Sequence, residues 1–458
     1  MSTIRDNSKY SECDERIKSV ENLVLHIANR TLIELQDDGV FVFPEVLKKE
    51  SDDLSDDQVI LESNKGKYKT GNVMGFIGYG EERLVIRSRF DGGGKDYLFQ
   101  YLLSQVFDIP NIVNLDSDAD VSNRLLDYLV FMFPFYLKTA IRKGVYKEYI
   151  WRQYNDSNVK GMIDIKRHIK VNTPFLGKVA YNQREFSHDN TLIELVRHTI
   201  EFIKTKRYGA NLLRNVSDEV KLVVSATSGY EFHDRRRIVQ ENQKNVIRHA
   251  YYREYYALQK LCLMILRHQR HQIGEGGKRI YGILFDGSWL WEEYINKLCG
   301  KDFYHPRNKI KYGKQYLFHS ADAGRMKGEV YPDFISRSDK PRIIVDAKYK
   351  PSENIGNRDY LQMLAYMFRF DSKKGIYVYP ENENGIKETY YLRSNVDFGD
   401  TKSQVRDDVE IKKMGIIIPG VSDDKTYDDF ERGIKKSEES FLKTMKLVET
   451  TIMDEHNK

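Results

Sequence analysis

Three kinds of hydrophobic pattern follow one another along the chain. Over residues 1–120 the apolar residues come in short runs, Val40-Phe41-Val42-Phe43, Gly71–Gly78 and Leu84-Val85-Ile86-Arg87, separated by charged or glycine-rich turns. Runs of this length between turn residues predict β-strands. The turn Asp91-Gly92-Gly93-Gly94-Lys95 then leads into an apolar helix, Tyr97–Phe107. From 121 to 272 the spacing becomes helical. Thr191 and Glu194 have the form of a capping box, and Leu192, Leu195, Val196, Thr199 and Ile203 fall on one face behind it. A second long helix, rich in Leu and Tyr, is predicted from Tyr251 to His271, with Gly274-Glu275-Gly276-Gly277 as its stop and as a domain boundary.

After that stop, helix and strand alternate. A helix over Ser288–Leu298, with Ser288 as its N-cap, precedes strands around Val330–Ile335 and Arg342–Ala347. A helix over Asn357–Phe370 and a strand over Gly375–Tyr379, ended by Pro380, complete the series. Helix–strand–strand–helix–strand is the pattern of an α/β core. The expected fold is multidomain α+β: a β-rich N-terminal domain (1–120), a helical middle region (121–272) and a C-terminal α/β domain (273–458).

Composition narrows the class. With 40% apolar and 31% charged residues, 22 Phe and 31 Tyr, the chain has the make-up of a globular protein rather than a disordered one. No apolar run approaches the roughly 18 residues of a membrane span. The start, MSTIRDNSKYSECDERIK, lacks the apolar stretch of a signal peptide, so a cytoplasmic location and no membrane partner are expected. Cys13, Cys262 and Cys299 are far apart and form no C-x-x-C pair, which disfavours a zinc knuckle or a disulfide framework. The 91–95 turn lacks the G-x-x-x-x-G-K-[ST] spacing of a phosphate loop, and no other segment resembles a nucleoside-triphosphate site. The net charge of +5 permits nucleic-acid binding, and residues 301–350 concentrate it, with 12 Lys/Arg against 6 Asp/Glu.

The candidate chemistry lies in that same basic stretch. It comprises Val330-Tyr331-Pro332-Asp333 and Ile343-Ile344-Val345-Asp346-Ala347-Lys348. Two carboxylates at the ends of paired strands suit a hard divalent cation, which prefers oxygen ligands. Such an ion lowers the pKa of a bound water and neutralises charge building on a phosphate. Lys348 lies two residues beyond Asp346, so on an extended strand both point to one face, where an ammonium orients a nucleophile or stabilises an anion. Asp-x-Lys recurs as Asp164-Ile165-Lys166 and Asp423-Asp424-Lys425, so the tripeptide alone decides nothing; the β-branched run that Asp346 closes sets it apart. Gln362 and Tyr366 follow at i and i+4 on a helix. A further carboxylate is expected from the helix before Asp333, where helical geometry does not separate Glu292 from Glu293.

The order Asp, Asp-x-Lys, Gln-x-x-x-Tyr resembles the PD-(D/E)xK nuclease superfamily and its RecB-type branch. Leu290-Trp-Glu-Glu-Tyr294, Tyr331-Pro-Asp333, Val345-Asp-Ala-Lys-Tyr349 and Tyr360-Leu-Gln-Met-Leu-Ala-Tyr366 resemble more closely the McrC family, the nuclease subunit of modification-dependent McrBC restriction systems. Lys160-Gly-Met-Ile-Asp-Ile-Lys166 and Arg184-Glu-Phe-Ser-His-Asp-Asn190 also look like that family's middle region. The likeness covers about 150–380; the first 120 residues match only in general character. Trp291 stands where the family typically has Phe before the helix glutamate, an alignment that favours Glu292.

The resemblance implies a Mg²⁺-dependent endodeoxyribonuclease with a C-terminal PD-(D/E)xK core, in which Mn²⁺ substitutes for Mg²⁺. Asp333, Asp346 and Glu292 would ligate the ion, Lys348 would be catalytic, and Gln362 and Tyr366 would support the site or the DNA backbone. It implies DNA and a McrB-like AAA+ GTPase ring as partners, the ring recognising modified DNA and translocating it, with the amino-terminal part of this chain engaging the ring. Two other classes compete. A catalytically silent adaptor of an NTPase ring would have no reason to keep Asp333, Asp346 and Lys348 together. A stand-alone nuclease for DNA ends or branched DNA would not need the 272 residues before the core.

Overall fold

The computed structural model describes residues 2–38, 40–43, 59–92, 96–107, 121–206, 208–247, 249–271, 280–306, 315–321, 324–338, 342–382, 388–394, 404–420 and 426–455. The glycines expected to form a turn at 93–94, the helix stop at 274–277 and the Asp-x-Lys at 423–425 lie outside them. The fold is mixed α/β with several sheets. Chain contacts gather it into two compact units, Met1–Val106 with Gly277–Lys458, and Phe107–Gly276. The hydrophobic pattern separates the first and last parts of the chain; the contacts join them.

The first unit opens with β1 (Ser2–Arg5), β2 (Lys9–Ser11) and three short helices, α1 (Glu15–Lys18), α2 (Glu21–Ile27) and α3 (Leu32–Asp37). Thr31 and Glu34 form a capping box that starts α3. Strands β3 (Val40–Phe43), β4 (Leu61–Asn64), β5 (Lys67–Thr70), β6 (Val73–Tyr79) and β7 (Glu82–Arg87) follow, then α4 (Tyr97–Val106). The three predicted runs are β3, β6 and β7. Six successive residues of β6 are buried, so both its faces are covered, which explains the absence of alternation in its sequence. Gly75, at φ +135°, lets a neighbouring strand approach: a Cβ there would stand 2.2 Å from the Ile283 carbonyl oxygen. Leu23, Val24 and Ile27 of α2 pack into the same apolar core as Ile77, Leu84 and Leu284.

The second unit holds α5 (Val121–Ile141), β8 (Glu148–Asp156), β9 (Met162–Ile163), α6 (Ile165–Val171), β10 (Val179–Ser187), α7 (Thr191–Lys204), α8 (Gly209–Arg214), α9 (Ser217–Ala226), α10 (Arg235–Lys244) and α11 (Glu254–His271). The predicted apolar face of α7 is buried. Its cap is not Thr191: Asn190 occupies that position and its side chain accepts from Ile193 N. Asn is as good a cap as Thr, and it stands one residue earlier, where the backbone is still extended. A 3₁₀ turn, Ala250–Tyr252, precedes α11, so that helix starts at Glu254 rather than Tyr251. The small sheet β8-β10-β9 turns aromatic residues outward. Tyr149 and Trp151 share one face of β8 and lie opposite Phe186 and Arg184 of β10, and all four are exposed.

The chain then returns to the first unit with β11 (Ile280–Asp286), which lies between β6 and β3 in the sheet β1-β7-β6-β11-β3. Next come α12 (Gly287–Cys299), β12 (Phe303–Tyr304), β13 (Gln315–His319), β14 (Met326–Val330), β15 (Phe334–Ser336), β16 (Ile343–Ala347), α13 (Asn357–Arg369), β17 (Lys374–Glu381), β18 (Glu388–Ser394), β19 (Gln404–Ile417) and α14 (Tyr427–Glu455). The second sheet of the unit runs β12-β15-β16-β17-β19-β18. Pairing is parallel between β16, β17 and β19 and antiparallel towards both edges.

Three local expectations are corrected here. Asp286, not Ser288, caps α12, accepting from Ser288 N at 2.9 Å. The strand expected over Val330–Ile335 is two strands, β14 and β15, interrupted at 331–333, where Pro332 cannot donate to a ladder. Conversely, β17 runs through Pro380 to Glu381. Val378 turns its carbonyl towards the β16 side, accepting from Lys348 N, and by the alternation of the ladder Pro380 faces that side too. The pairing of β16 with β17 stops at Ala347–Val378, so the missing N–H of Pro380 interrupts no bond there.

Candidate active site

The site is built where β15 and β16 run antiparallel and α12 and α13 flank them. Asp333 immediately precedes β15, and Asp346 lies on β16 one residue before its end. Both are buried, at 9% and 3% exposure. The Asp333 carboxylate accepts from Ala347 N at 2.7 Å, which ties it to the strand carrying Asp346. Burial first, then the carboxylates of Glu292 and Asp346, push the Asp333 carboxyl well above its ordinary range, against the opposing pull of Lys348 and of the Ala347 N–H.

Lys348 sits just past β16 with Nζ 2.8 Å from Asp346 Oδ2 and a long 3.5 Å from Gln362 Oε1. Gln362 in turn donates to the Tyr366 hydroxyl at 2.6 Å. The i, i+4 pair read from the sequence is therefore a hydrogen-bonded pair on α13, with Gln362 turned to the lysine. Burial and then the Asp346 and Asp333 carboxylates raise the Tyr366 phenol above its ordinary value, so it stays neutral. Behind Lys348, Lys350 pairs with Asp359 at 2.8 Å, and Asp359 also accepts from Gly356 N at the start of α13. Burial raises the Asp359 carboxyl, but Lys350 and the Gly356 N–H outweigh it and leave it below the ordinary range.

The fourth expected group, Glu292, comes from α12. Glu292 acts electrostatically on Asp333, whereas Glu293 accepts from Asn296 at 3.4 Å on its own helix. Helical geometry leaves the choice between the two open, and the field of Glu292 on Asp333 favours Glu292. Trp291 beside it is fully buried and donates from its indole N–H to the Val378 carbonyl at 3.2 Å, which fixes the rotation of α12 against β17. Tyr349 fastens the other side. Its hydroxyl pairs with Ser88 at 2.5 Å, Arg89 lies 4.7 Å from its ring centroid, and Arg89 donates to its carbonyl.

One neighbour was not legible in the sequence. His305, just past β12, has Nδ1 2.7 Å from the Asp333 carbonyl oxygen and Nε2 3.6 Å from Glu292 and 3.9 Å from Glu293. A histidine between Tyr304 and Pro306 carries no motif; only the pairing of β12 with β15 brings it here.

The donors are anionic or uncharged oxygens crowded beside one lysine, a set suited in charge and hardness to a divalent cation. Among the described residues no three His, Cys, Asp or Glu side chains already converge on a point. The fit is one of donor chemistry and of charge crowding on Asp333, with the Lys348 ammonium beside Asp346 as the neutralising charge.

A mixed α/β protein with a buried carboxylate–lysine centre between sheet and helices has relatives. A family model described as McrBC 5-methylcytosine restriction system component matches residues 68–380 of the 458, and the chain belongs to this family. The match begins in β5, well before the stretch where motifs are recognisable by eye, and includes every site residue named above. Curated proteins give no match. Two solved assemblies from Thermococcus gammatolerans are similar at 15% identity. One is a half-complex from a tetradecameric assembly of McrB AAA+ hexamers with bound McrC, with a TM-score of 0.43 over 95% of this chain and 99% of that chain. The other is the McrBC complex, with a TM-score of 0.33 over 69% of this chain and 89% of that chain. Among the described residues no helix is long and apolar enough to cross a membrane.

Proposed function

We propose that this chain is the nuclease subunit of a McrBC-like restriction system, hydrolysing DNA phosphodiesters at a divalent-cation site in a PD-(D/E)xK core. The observation that carries the reading is the buried Asp333 carboxylate lying within the fields of Glu292 and Asp346 with Lys348 alongside. Asp333, Asp346 and Glu292 would hold Mg²⁺, or Mn²⁺ in its place. When bound, such an ion supplies Lewis-acid neutralisation of charge at the scissile phosphate. Lys348, steered by Asp346 and Gln362, presents an ammonium that orients the attacking water and stabilises the developing anion. Gln362 and Tyr366 fix that ammonium, and the closed core around Trp291 and Tyr349 keeps the carboxylates in place.

The partner in this reading is a McrB-type AAA+ ring, as in the two Thermococcus gammatolerans assemblies, and it recognises modified DNA and delivers it. Support comes from the second unit, rather than from the amino-terminal part that the resemblance implies as the ring contact. Met162, Ile165, Ile169, Phe175 and Leu176 are all exposed, Leu176 at 83%, as are Tyr149, Trp151 and Phe186. So much apolar surface is what a protein-binding region carries.

The test is cleavage of methylated and unmethylated plasmid with Mg²⁺ and GTP or ATP, with and without the neighbouring ring-forming ATPase or GTPase. Cleavage should require the partner and fall at least a hundredfold in Asp346→Ala, since even outer-shell residues cost about 10–100-fold at metal sites. An Asp346→Ala protein that cuts like wild type would remove this site from the mechanism. No cleavage, with the partner's NTP hydrolysis still stimulated, would leave an adaptor.

A further inference from the structure

We infer that the hairpin of β13 and β14 is a DNA-binding ribbon, which engages the duplex beside the phosphate to be cut through Arg325 and Lys327. The inference rests on the nuclease reading above and adds the surface that holds the substrate.

The hairpin is open where a strand of a core sheet would be covered. Met326, Lys327, Gly328 and Glu329 of β14 are all exposed, so both faces of the strand meet solvent, and only Val330 at its base is buried. Phe318 and His319 of β13 are exposed opposite Lys327 and Met326. The base is anchored. Leu317 and Val330 pack with the core of the second sheet, and Arg369 of α13 donates from Nε to the Tyr316 carbonyl. The hairpin is therefore fixed at one end and open towards its turn.

Charge identifies the occupant. Residues 306–330 carry six Lys/Arg against two Asp/Glu, the excess that a phosphate backbone attracts. Near the second sheet, Lys350, Lys374 and Lys412 are each paired with a carboxylate. Arg325 and Lys327 are exposed and have no ion pair among the described residues. Lys327 lies opposite Phe318, and the bond from Ser320 N to the Arg325 carbonyl extends the ladder by one pair. By the alternation of a strand, Arg325, Lys327 and Phe318 then share one face.

Position joins this face to the chemistry. β14 runs into Asp333 through Tyr331 and Pro332 alone. Arg325 stands five residues before Val330, about 16 Å along a strand, which is the length of about five base pairs. A two-stranded ribbon is narrow enough to enter the major groove, with its cations against the flanking phosphates. Phe318 and Met326, 65% and 62% exposed towards the turn, are side chains of the kind that press against base steps.

The probe is a labelled duplex of about 30 base pairs with the full-length chain, read by fluorescence anisotropy in EDTA between about 50 and 200 mM salt. EDTA separates binding from cleavage. Arg325→Gln with Lys327→Gln should lower the salt slope by about 1.8, about 0.9 for each lost phosphate contact, so its deficit shrinks about twelvefold over that range. Phe318→Ser should weaken binding with the slope unchanged. Arg432→Gln, which removes an exposed cation of α14, should change neither. Wild type that does not bind the duplex, or a double variant that keeps the wild-type slope, would overturn the ribbon; partner-dependent cleavage would still leave the nuclease reading standing. A double variant that binds DNA normally but no longer stimulates the partner's NTP hydrolysis would give the hairpin to the ring instead. The expected loss of slope, together with an Asp346→Ala protein that cuts like wild type, would support the ribbon and remove the catalytic site.

Discussion

Among the partners of Lys348 are Asp346 at 2.8 Å, Gln362 at 3.5 Å and Asp359 at 4.0 Å, and the contact to Gln362 depends on Tyr366. Removing the Tyr366 hydroxyl leaves Gln362 free to rotate away from the lysine. A neutral hydrogen bond contributes about 0.5–1.5 kcal/mol net, so Tyr366→Phe should slow cleavage about two- to tenfold while metal binding is unchanged. A drop in Mn²⁺ affinity instead would place Tyr366 with the ligands rather than with the lysine. At this scale the sequence was informative wherever a residue's neighbours along the chain are also its working neighbours. Asp346 and Lys348 share a strand end, and Gln362 and Tyr366 share a helix face, so spacing alone pairs them. His305 and the distinction between Glu292 and Glu293 depend on which strand lies beside which, and no local spacing encodes that.

Within an element, ionisable groups shielded from solvent tie stability to pH, and α7 carries a buried one and a half-buried one a turn apart. His198 is buried against Tyr230 with neither ring nitrogen hydrogen-bonded among the described residues, and burial first, then Arg235, lowers it from 6.5 to about 4. Its folded value is depressed, so its contribution is complete above pH 6.5 and is lost as pH falls towards 4, amounting to about 3 kcal/mol. Glu194 moves the other way. Burial, then Asp189, raises it from 4.5 to about 7, so its contribution is complete below pH 4.5 and is lost as pH rises through 7. Between pH 4.5 and 6.5 the two slopes oppose each other. Pulse proteolysis in urea, read within residues 191–244, should find wild type nearly flat over that interval. His198→Phe should gain stability as pH falls, and Glu194→Gln should lose it; equal profiles for all three would mean the two groups do not titrate as argued. The start of α12 makes a separate prediction. A Cβ on Gly287 would stand 2.6 Å from Tyr349 Cε1, and that ring is pinned by Ser88 and Arg89. Gly287→Ala should therefore cost about 1–3 kcal/mol by overpacking and lower the melting temperature; a Tm equal to wild type would show that the ring gives way. The helices were legible from their periodicity, but their first residues were not. Asn190 and Asp286 both outcompete the Thr and Ser read as caps, because the cap is decided by where the backbone leaves the preceding strand.

For the whole molecule, the decisive element is β11. Seven residues after the long helical region cross back to lie between β6 and β3, more than 200 positions away in sequence. Ile283, Leu284 and Phe285 are buried there, and Arg89 of the amino-terminal part holds Tyr349 beside the site. Patterning along the chain cannot foresee this, since a strand's hydrophobicity shows that it is covered but not by which segment. A fragment of residues 273–458 contains every candidate catalytic residue yet lacks both neighbours of β11 and the Ser88–Arg89 support of Tyr349. It would expose two unpaired strand edges lined with apolar side chains, a surface that associates with other chains. The fragment should accordingly aggregate or remain without a cooperative melt when expressed alone, and become soluble when co-expressed with residues 1–106. Size-exclusion chromatography and circular dichroism of the two preparations decide the matter. A monomeric 273–458 with a cooperative transition and wild-type Mn²⁺ binding would show that the carboxylate site assembles without the amino-terminal sheet. Rescue by 1–106 would instead establish that the site belongs to a unit composed of both ends of the chain, so that a change in β6 or at Arg89 acts on the candidate site through the fold.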